Sequence, residues 1–547
     1  MNRAYKLRTF LIFSFFIFLY FTIFFNLYLI QIINSTYFSD LAKKQYNISV
    51  TINPPRATIF DSKNNPVALN KESLSAFILP NKLQESEKVK KFLKKYFPQA
   101  HDRLNNYKNK FFMHIKRRLT EEQINLIKES NLEDIKILKE PSRFYPNESV
   151  AIVTGVTNID NKGMFGIEYE FNDQLSGSPT SMVLEKDARS GHFYFKKEIT
   201  KTGIDSKSIN LTIDSELQFL AQEELQETMA EFEAKEGAVV ILNPDNGHIL
   251  TMTSLPGFDP NNYENLNLEN TKNKAISNTY EFGSVMKVFV AIAALQEGVV
   301  KIDELIDCEN TKETQIDGFS FSTTIAQGIV PFAEVVEKSN NIGMAKVSKK
   351  LGTKIYDHYL NFGFGKKTNI PLNGENKGYV NPPDKWSRRS FISLSFGYEI
   401  TANLLQLATA FSIIANDGYQ VRPKLIISEN DQKENPKQIY SPEVIQQIKQ
   451  ILQNTVNQGT AKRAAVKGYK VMGKTGTGNL AIDGSYSKTK NIYSFLGIIE
   501  KDDYKRIIAI YIKETPRGGK DLFGSAVAAP LFEKIAEKLL IHDKIIK

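Results

Sequence analysis

One uncharged stretch dominates the hydrophobic pattern at the start of the chain. No charged residue lies between Arg8 and Asp40, and the apolar part of this segment runs from Phe10 to Ile33. A helix of roughly 20 apolar residues is long enough to cross a bilayer. The stretch therefore predicts one transmembrane helix, with the membrane anchor at residues 9–33.

Two features favour an anchor that is not cleaved. A signal peptide has a shorter apolar region and a cleavage site built from small residues, whereas no alanine lies between Ala4 and Ala42. The residues before the anchor include no acidic side chain and three basic ones, Arg3, Lys6 and Arg8. The positive-inside rule then predicts a cytoplasmic tail at residues 1–8 and export of the remainder.

Residues 34–207 mix two kinds of pattern. Strand-like runs occur near Ile48 to Ile59, and lysine-rich amphipathic stretches at Glu87 to Tyr96 and Glu121 to Glu129 predict helices. No candidate catalytic constellation occurs in this part of the sequence. We interpret residues 34–207 as an elongated, non-catalytic pedestal or dimerisation domain that holds a catalytic domain away from the membrane.

Residues 208–547 have a more regular pattern. A long helix is predicted from about Ser215 to Glu233, and an apolar helix from Val527 to Leu540 closes the chain. Five runs predict strands: Gly237 to Asn243, His248 to Ser254, Tyr469 to Lys474, Tyr493 to Ile499 and Arg506 to Lys513. Two early strands and three late ones, with helices between them, predict an α+β domain with one five-stranded antiparallel sheet covered by helices.

Composition and charge narrow the function. The 547 residues suffice for two or three domains, and 41% hydrophobic with 24% charged residues is typical of globular proteins. The net charge of +9 suits an acidic partner such as a membrane surface, but the lysines alternate with acidic and apolar residues, so we predict no nucleic-acid partner. Cys308 is the single cysteine and the six histidines lack ligand spacing, so neither a metal nor an organic cofactor is predicted.

Three short motifs follow one another in residues 208–547. They read S-x-x-K, S-x-N and K-T-G, and they are Ser284-Val285-Met286-Lys287, Ser339-Asn340-Asn341 and Lys474-Thr475-Gly476-Thr477. Other copies of these patterns begin at Lys201, Ser485 and Ser487, but they fall outside this order. The order, with gaps of about 55 and about 135 residues, singles out the first set.

The first motif predicts a nucleophile and its base. Ser284 opens a run with the spacing of a buried helix face, and positions i and i+3 of a helix share a face, so Lys287 lies beside Ser284. A serine hydroxyl needs a base, and a lysine serves as one only when burial or a nearby cation depresses its pKa. Lys474 is the candidate cation.

The other two motifs predict the rest of an acyl-transfer site. Ser339 can relay a proton to a leaving amine, while Asn341 can fix Lys287 and a substrate amide. Lys474 to Thr477 is expected to end a strand, where the lysine and both threonine hydroxyls hold a carboxylate and Gly476 leaves room for a substrate backbone. Backbone N–H groups of Ser284 and Thr477 are candidates for an oxyanion hole.

These motifs and others resemble the class B penicillin-binding proteins, most closely their FtsI-like septal branch. Further matching segments are Pro54 to Asp61, Gly166-Ile167-Glu168, Asp259-Pro260-Asn261, Tyr280 to Gly283, Phe362 to Gly365, Gly397-Tyr398, Gly459-Thr460-Ala461 and Gly524 to Pro530. The resemblance covers nearly the whole chain. It implies the penicillin-recognising α/β fold and a peptidoglycan D,D-transpeptidase that acylates Ser284 with a D-Ala-D-Ala stem peptide, releases D-Ala and is blocked by β-lactams.

The resemblance also implies the protein's surroundings. It predicts a single-pass protein of a bacterial inner membrane with a periplasmic catalytic domain, together with divisome proteins and a lipid-linked glycosyltransferase as partners. The sequence departs from the family pattern at Ala57, Ser62, Phe282 and Gly478. Phe282 replaces the usual proline before Gly283, close to the nucleophile, so a typical β-lactam affinity does not follow from the resemblance.

Several alternatives stay open at this stage. An elongation-type transpeptidase shares the same motifs, and a D,D-carboxypeptidase differs only in accepting water. The predicted anchor and pedestal disfavour a β-lactamase. A β-lactam sensor would need further spans or an output domain, and a division scaffold would not need Ser284.

Overall fold

The computed structural model describes residues 3–106, 110–186, 193–262, 266–428, 436–482, 484–516 and 522–545. Its α-helices, α1 to α18 in chain order, are Arg3–Tyr28, Ser35–Tyr46, Ser86–Tyr96, Pro98–Asn106, Glu121–Glu129, Ala151–Thr154, Gly166–Glu170, Asn172–Ser176, Ser215–Phe232, Lys274–Ser277, Lys287–Gln296, Phe332–Glu337, Asn341–Leu351, Lys354–Asn361, Ser390–Ser395, Leu404–Ala415, Pro442–Asn457 and Gly524–His542.

Its strands, β1 to β21 in chain order, are Asn47–Ile52, Ile59–Phe60, Pro66–Ile78, Met113–Lys116, Lys136–Phe144, Thr180–Lys186, Phe193–Lys201, Ile209–Asn210, Glu236–Leu242, Ile249–Leu255, Leu305–Asp307, Glu313–Ile316, Phe319–Ser322, Ile329–Pro331, Tyr379–Val380, Ile400–Thr401, Tyr419–Gln420, Lys437–Gln438, Lys470–Ile482, Ser485–Lys501 and Tyr504–Lys513.

The chain divides into two compact units. The first comprises Met1–Pro55 with Ser176–Lys207, and the second comprises Arg56–Leu175 with Ser208–Lys547. In the first unit, β1 and β7 pair with either edge of β6 in an antiparallel sheet. Its N-terminal helix, Arg3–Ile33, is the only one in the described part of the chain that is long and apolar enough to cross a membrane, with a mean hydropathy of 2.3.

The strand-like runs predicted near Ile48 to Ile59 correspond to two strands, β1 and β2. Residues 53–58, which include Pro54 and Pro55, separate them. Proline lacks an N–H for the ladder, so two adjacent prolines end a strand. The predicted helices Glu87 to Tyr96 and Glu121 to Glu129 are confirmed as α3 and α5.

A buried ion-pair network lies in the Arg56–Leu175 part of the second unit. Glu168 accepts hydrogen bonds from Arg56 Nε at 2.7 Å and from Arg143 Nε at 2.6 Å. All three side chains are almost completely buried. Because both guanidinium groups are buried, the positive charge of each is compensated by the same Glu168 carboxylate. Loss of this carboxylate would leave two buried charges without their ion-pair partner.

The large sheet of the second unit has the strand order β10-β9-β21-β20-β19, and every neighbouring pair is antiparallel. This confirms the predicted α+β domain with a five-stranded sheet. However, β19 continues to Ile482 rather than stopping at Lys474, because residues up to Thr477 and beyond pair with β20. The K-T-G motif therefore lies within an edge strand. The sequence predicted a strand end at this motif, and that prediction is wrong.

The two faces of this sheet carry different helices. Ile507, Ala509 and Tyr511 of β21 pack into the core that contains α11 and α16, whereas Ile508 and Ile510 pack into the core that contains α9 and α18. Alternate residues of a strand point to opposite faces, so dense apolar runs are expected in strands covered on both sides. The helix α11 is thereby held rigidly against the sheet with Ser284 just before its start.

Candidate active site

Ser284 lies in a 3-10 turn, Gly283–Met286, that leads directly into α11. The sequence predicted that the helix face begins at Ser284; the structure places the serine one turn earlier and starts the α-helix at Lys287. Every residue from Lys287 to Leu295 is buried, so α11 is an internal helix and not one with a single apolar stripe. It ends before Gly298, as predicted.

Glycines allow the nucleophile turn to lie directly on β19. Gly283 has a φ of +60°, and a Cβ there would lie 2.4 Å from the Thr477 carbonyl oxygen. A Cβ on Gly476 would lie 2.4 Å from the Phe282 carbonyl oxygen. The missing side chain at Gly476 thus makes room for the turn that carries Ser284, a role that the sequence had not indicated.

Two buried lysines meet at the Ser339 hydroxyl. Lys287 Nζ donates to Ser339 Oγ at 3.1 Å and to the Ser339 carbonyl oxygen at 2.6 Å. Lys474 Nζ donates to the same Oγ at 2.9 Å. Both lysine side chains are fully buried. The structure thus brings together one residue from each of the three motifs.

Burial determines the charge of this lysine pair. Loss of solvent lowers the pKa of Lys474 to about 7. Loss of solvent also lowers the pKa of Lys287 well below its usual range, and the charge of Lys474 lowers it further. The lowered pKa makes a neutral amine more available at Lys287 than at an ordinary lysine, which is the requirement for a base.

Ser339 occupies an unusual backbone conformation between α12 and α13. Its φ is +61°, in the left-handed region that residues other than glycine rarely adopt. Such a residue costs of the order of 1–3 kcal/mol and persists where its surroundings fix it. Here the two lysines and the backbone of α12 hold Ser339, whose N–H donates to the Val336 carbonyl oxygen at 3.1 Å.

Asn341 has partners other than those predicted. Its Nδ2 donates to the Ser322 carbonyl oxygen at 2.6 Å and its N–H donates to Thr323 Oγ1 at 3.1 Å. Within the described part of the chain it makes no hydrogen bond to Lys287, because the first turn of α13 directs its amide toward the β13 end. Asn340, which the sequence reasoning passed over, caps α13 by accepting from the N–H groups of Ile342 and Gly343.

The two threonines of the third motif differ. Thr477 is partly exposed, and its Oγ1 accepts from the Gly524 N–H at 3.0 Å, so its proton stays available for another acceptor. Thr475 is 8% exposed, and its hydroxyl lies 3.5 Å from Thr460 Oγ1. Thr460 and Gly524 both belong to segments that match the family pattern. That match was the sequence signal that could have identified them as neighbours of the K-T-G motif.

A second set of contacts that sequence reasoning missed supports the nucleophile turn. Phe282 is buried, and its ring meets those of Tyr280 and Tyr511 edge-on at 6.3 and 6.2 Å. The hydroxyls of Tyr280 and Tyr511 both donate to Glu236 Oε1 at 2.7 Å. The phenylalanine that replaces the usual proline is thus part of an aromatic cluster beneath Ser284.

The comparisons with known proteins define the class. A family model described as the penicillin-binding protein transpeptidase domain matches residues 237–537, and one described as the penicillin-binding protein dimerisation domain matches residues 51–211. The first match alone spans more than half of the chain. The chain belongs to the penicillin-binding protein transpeptidase family, a family of serine acyltransferases, and the pair of domains confirms the predicted class B type.

Individual proteins agree with this assignment. The chain is 31% identical over 487 residues to the probable peptidoglycan D,D-transpeptidase PbpC of Pseudomonas aeruginosa, across 88% of this chain and 85% of that protein. It is 30% identical over 532 residues to the peptidoglycan D,D-transpeptidase FtsI of Buchnera aphidicola, across 94% of this chain and 91% of that protein.

A solved structure confirms the predicted fold. Penicillin-binding protein 3 of Mycobacterium tuberculosis, in complex with aztreonam, superposes with a TM-score of 0.69 at 24% identity, across 91% of this chain and 98% of that one. With 91% of this chain covered, the likeness includes most of the mixed N-terminal region as well as the domain that contains the three motifs.

Proposed function

We propose that this protein is a peptidoglycan D,D-transpeptidase that crosslinks stem peptides through an acyl-enzyme on Ser284. The observation that carries the proposal is the meeting of Lys287 and Lys474 on the Ser339 hydroxyl, next to the turn that bears a serine at the start of a buried helix. The names of the FtsI and PbpC relatives support peptidoglycan as the substrate.

The first half-reaction forms the acyl-enzyme. Ser284 Oγ attacks the carbonyl carbon of the penultimate D-Ala while neutral Lys287 takes the hydroxyl proton. Protonated Lys474 and the Thr475 and Thr477 hydroxyls hold the terminal carboxylate. N–H groups of Ser284 and Thr477 stabilise the oxyanion, and single donors of this kind are worth roughly a hundred- to a thousandfold in rate.

Departure of D-Ala completes the acyl-enzyme, and the second half of the cycle then transfers the acyl group. When the C–N bond breaks, Ser339 passes a proton from the lysine pair to the departing D-Ala amine. An amine of a neighbouring stem peptide then attacks the ester carbon, its proton returns through the same groups, and Ser284 is regenerated. Asn341 binds the substrate amide through its side-chain oxygen, since its nitrogen is already bonded to Ser322.

We extend the proposal to cellular placement. Residues 1–8 form a cytoplasmic tail, 9–33 a single-pass anchor in a bacterial inner membrane, 34–207 a pedestal and 208–547 a periplasmic transpeptidase domain. The apolar helix supports the membrane anchor. The resemblance to FtsI is the basis for proposing septal wall synthesis, with divisome proteins and a lipid-linked glycosyltransferase as partners. β-Lactams are the expected inhibitors, as aztreonam is a ligand of the Mycobacterium homologue.

The test is D-Ala release by the full-length protein in detergent micelles. With a synthetic stem peptide ending in D-Ala-D-Ala, we expect release to rise when an acceptor amine is added and the product mass to show the new amide bond. Hydrolysed product alone, unaffected by the acceptor, would contradict transpeptidation and point to a D,D-carboxypeptidase.

A further inference from the structure

The Glu281 carboxylate joins three elements around the nucleophile turn. Its Oε1 accepts hydrogen bonds from the Glu399 backbone N–H at 2.8 Å and from the Tyr486 hydroxyl at 3.1 Å. Glu281 precedes Ser284 by three residues, Glu399 lies between α15 and β16, and Tyr486 lies near the start of β20. None of the steps described for acyl transfer uses this side chain.

Tyr398, Asn479 and Tyr486 form a rim that Glu281 connects to the nucleophile turn. The rings of Tyr398 and Tyr486 meet edge-on at 4.9 Å, and the Tyr398 hydroxyl donates to Asn479 Oδ1 at 3.1 Å. Asn479 follows Thr477 by two residues on β19, so both lie on the same face of the strand. The rim therefore borders the K-T-G strand.

The backbone before the rim touches the nucleophile turn directly. Gly397 has a φ of +89°, and a Cβ there would lie 2.2 Å from the Gly283 carbonyl oxygen. Glu399 is also in the left-handed region, with a φ of +60°. A shift of this segment would thus be transmitted to the residues on either side of Ser284.

Glu281 is partly buried, and its pKa is raised above the usual range of a glutamate because burial outweighs its hydrogen bonds. Burial raises the pKa of Glu281, the hydrogen bonds from the Glu399 N–H and the Tyr486 hydroxyl lower it, and the Glu399 carboxylate raises it. The titratable groups that face it are Glu399, Tyr398 and Tyr486. The Glu399 carboxylate is itself held by Asn381 Nδ2 at 2.6 Å and by Ser390 Oγ at 2.7 Å.

We propose that Glu281 is a positioning residue for acyl transfer, whose ionised carboxylate fixes the rim against the turn that carries Ser284. The inference rests on the proposed function at Ser284. A carboxylate accepts stronger hydrogen bonds than a neutral carboxyl group. When Glu281 takes a proton, both of its hydrogen bonds weaken, and the rim and the segment around Glu399 are released from the nucleophile turn.

The chain contains its own reporter of this segment. Trp386 is the only tryptophan, and its indole N–H donates to the Asn381 carbonyl oxygen at 2.7 Å. Asn381 in turn donates to Glu399. Tryptophan fluorescence of the full-length protein in detergent micelles therefore follows the segment that Glu281 holds, without any assay of acylation.

We expect the wild-type fluorescence to show a transition as the pH falls, centred above the ordinary range of glutamate. Glu281→Gln keeps the shape of the side chain but cannot titrate, so its transition disappears. Tyr486→Phe removes a hydrogen bond that favours the charged carboxylate, so the pKa of Glu281 rises and the transition moves to higher pH. Because Tyr486 is exposed, we expect the Tyr486→Phe variant to fold like the wild type.

Acylation by a fluorescent penicillin gives the functional readout. The loss of charge-assisted hydrogen bonds typically lowers an equilibrium or rate constant by about a factor of ten. We therefore expect Glu281→Gln to lower the acylation rate constant roughly tenfold and Tyr486→Phe to lower it less. A transition that persists in Glu281→Gln, or acylation of that variant at the wild-type rate, overturns the proposal. A wild type that shows the transition but no adduct refutes the proposed function instead.

Discussion

Lys287→Met is expected to lower the rate constant for acylation by a penicillin by about 10²- to 10⁴-fold, the usual contribution of a general base. Methionine preserves most of the buried volume but removes the amine that takes the Ser284 proton. Stopped-flow or gel-based labelling with a fluorescent penicillin measures the effect. The matched control is Lys349→Met, which removes an exposed lysine of α13 paired with Asp317 and should leave acylation unchanged.

The pH dependence of wild-type acylation follows from the same pair of lysines. Since burial and the charge of Lys474 lower the pKa of Lys287, more of this base is neutral than of an ordinary lysine, and it gains a proton as the pH falls. Acylation should therefore decline on the acid side. In Lys474→Met the repulsion is lost, the pKa of Lys287 rises, and the acid decline moves to higher pH. Lys287→Met acylated at the wild-type rate would contradict the role of this base.

Glu168→Ala is expected to destabilise the protein by about 3–5 kcal/mol, the cost of removing one partner from a buried ion pair. The change leaves the Arg56 and Arg143 guanidinium groups buried without their shared carboxylate. Thermal unfolding measures this loss of stability, and we expect a large fall in the unfolding midpoint. Acylation per folded molecule should stay near the wild-type value because Glu168 lies outside the candidate active site.

The control for this stability prediction is an ion pair at the surface. Glu72→Ala breaks the exposed pair between Lys139 and Glu72, and exposed pairs contribute little to stability. If Glu168→Ala and Glu72→Ala unfold at the same temperature, the buried network does not stabilise the pedestal as its geometry indicates.

The sequence allowed the fold class and the five strands of the catalytic domain to be predicted because both rest on long patterns. Dense apolar runs identified five strands, and the three motifs identified residues from the nucleophile turn, α12–α13 and β19 that the structure brings together. Strand ends were less accurate, since Gly476 and Gly478 interrupt the apolar pattern of β19, whose continuation is set by its pairing with β20.

The features that the sequence did not predict arise from contacts between distant segments. How separate elements pack determines both the close approach of Gly476 to Phe282 and the hydrogen-bond partner of Asn341. The left-handed conformation of Ser339 is likewise imposed by its surroundings, because no local pattern marks a serine for it. Glu281 had no signal beyond its position in the segment before Ser284.

The most direct test of the central claim is the intact mass of the full-length protein after reaction with a fluorescent penicillin. The wild type should gain one stable adduct, Ser284→Ala should gain none, and Ser485→Ala, which removes the exposed serine of an out-of-order S-x-x-K copy, should react like the wild type. A folded wild type that gains no adduct, or a Ser284→Ala variant that still gains one, would contradict the assignment of Ser284 as the nucleophile.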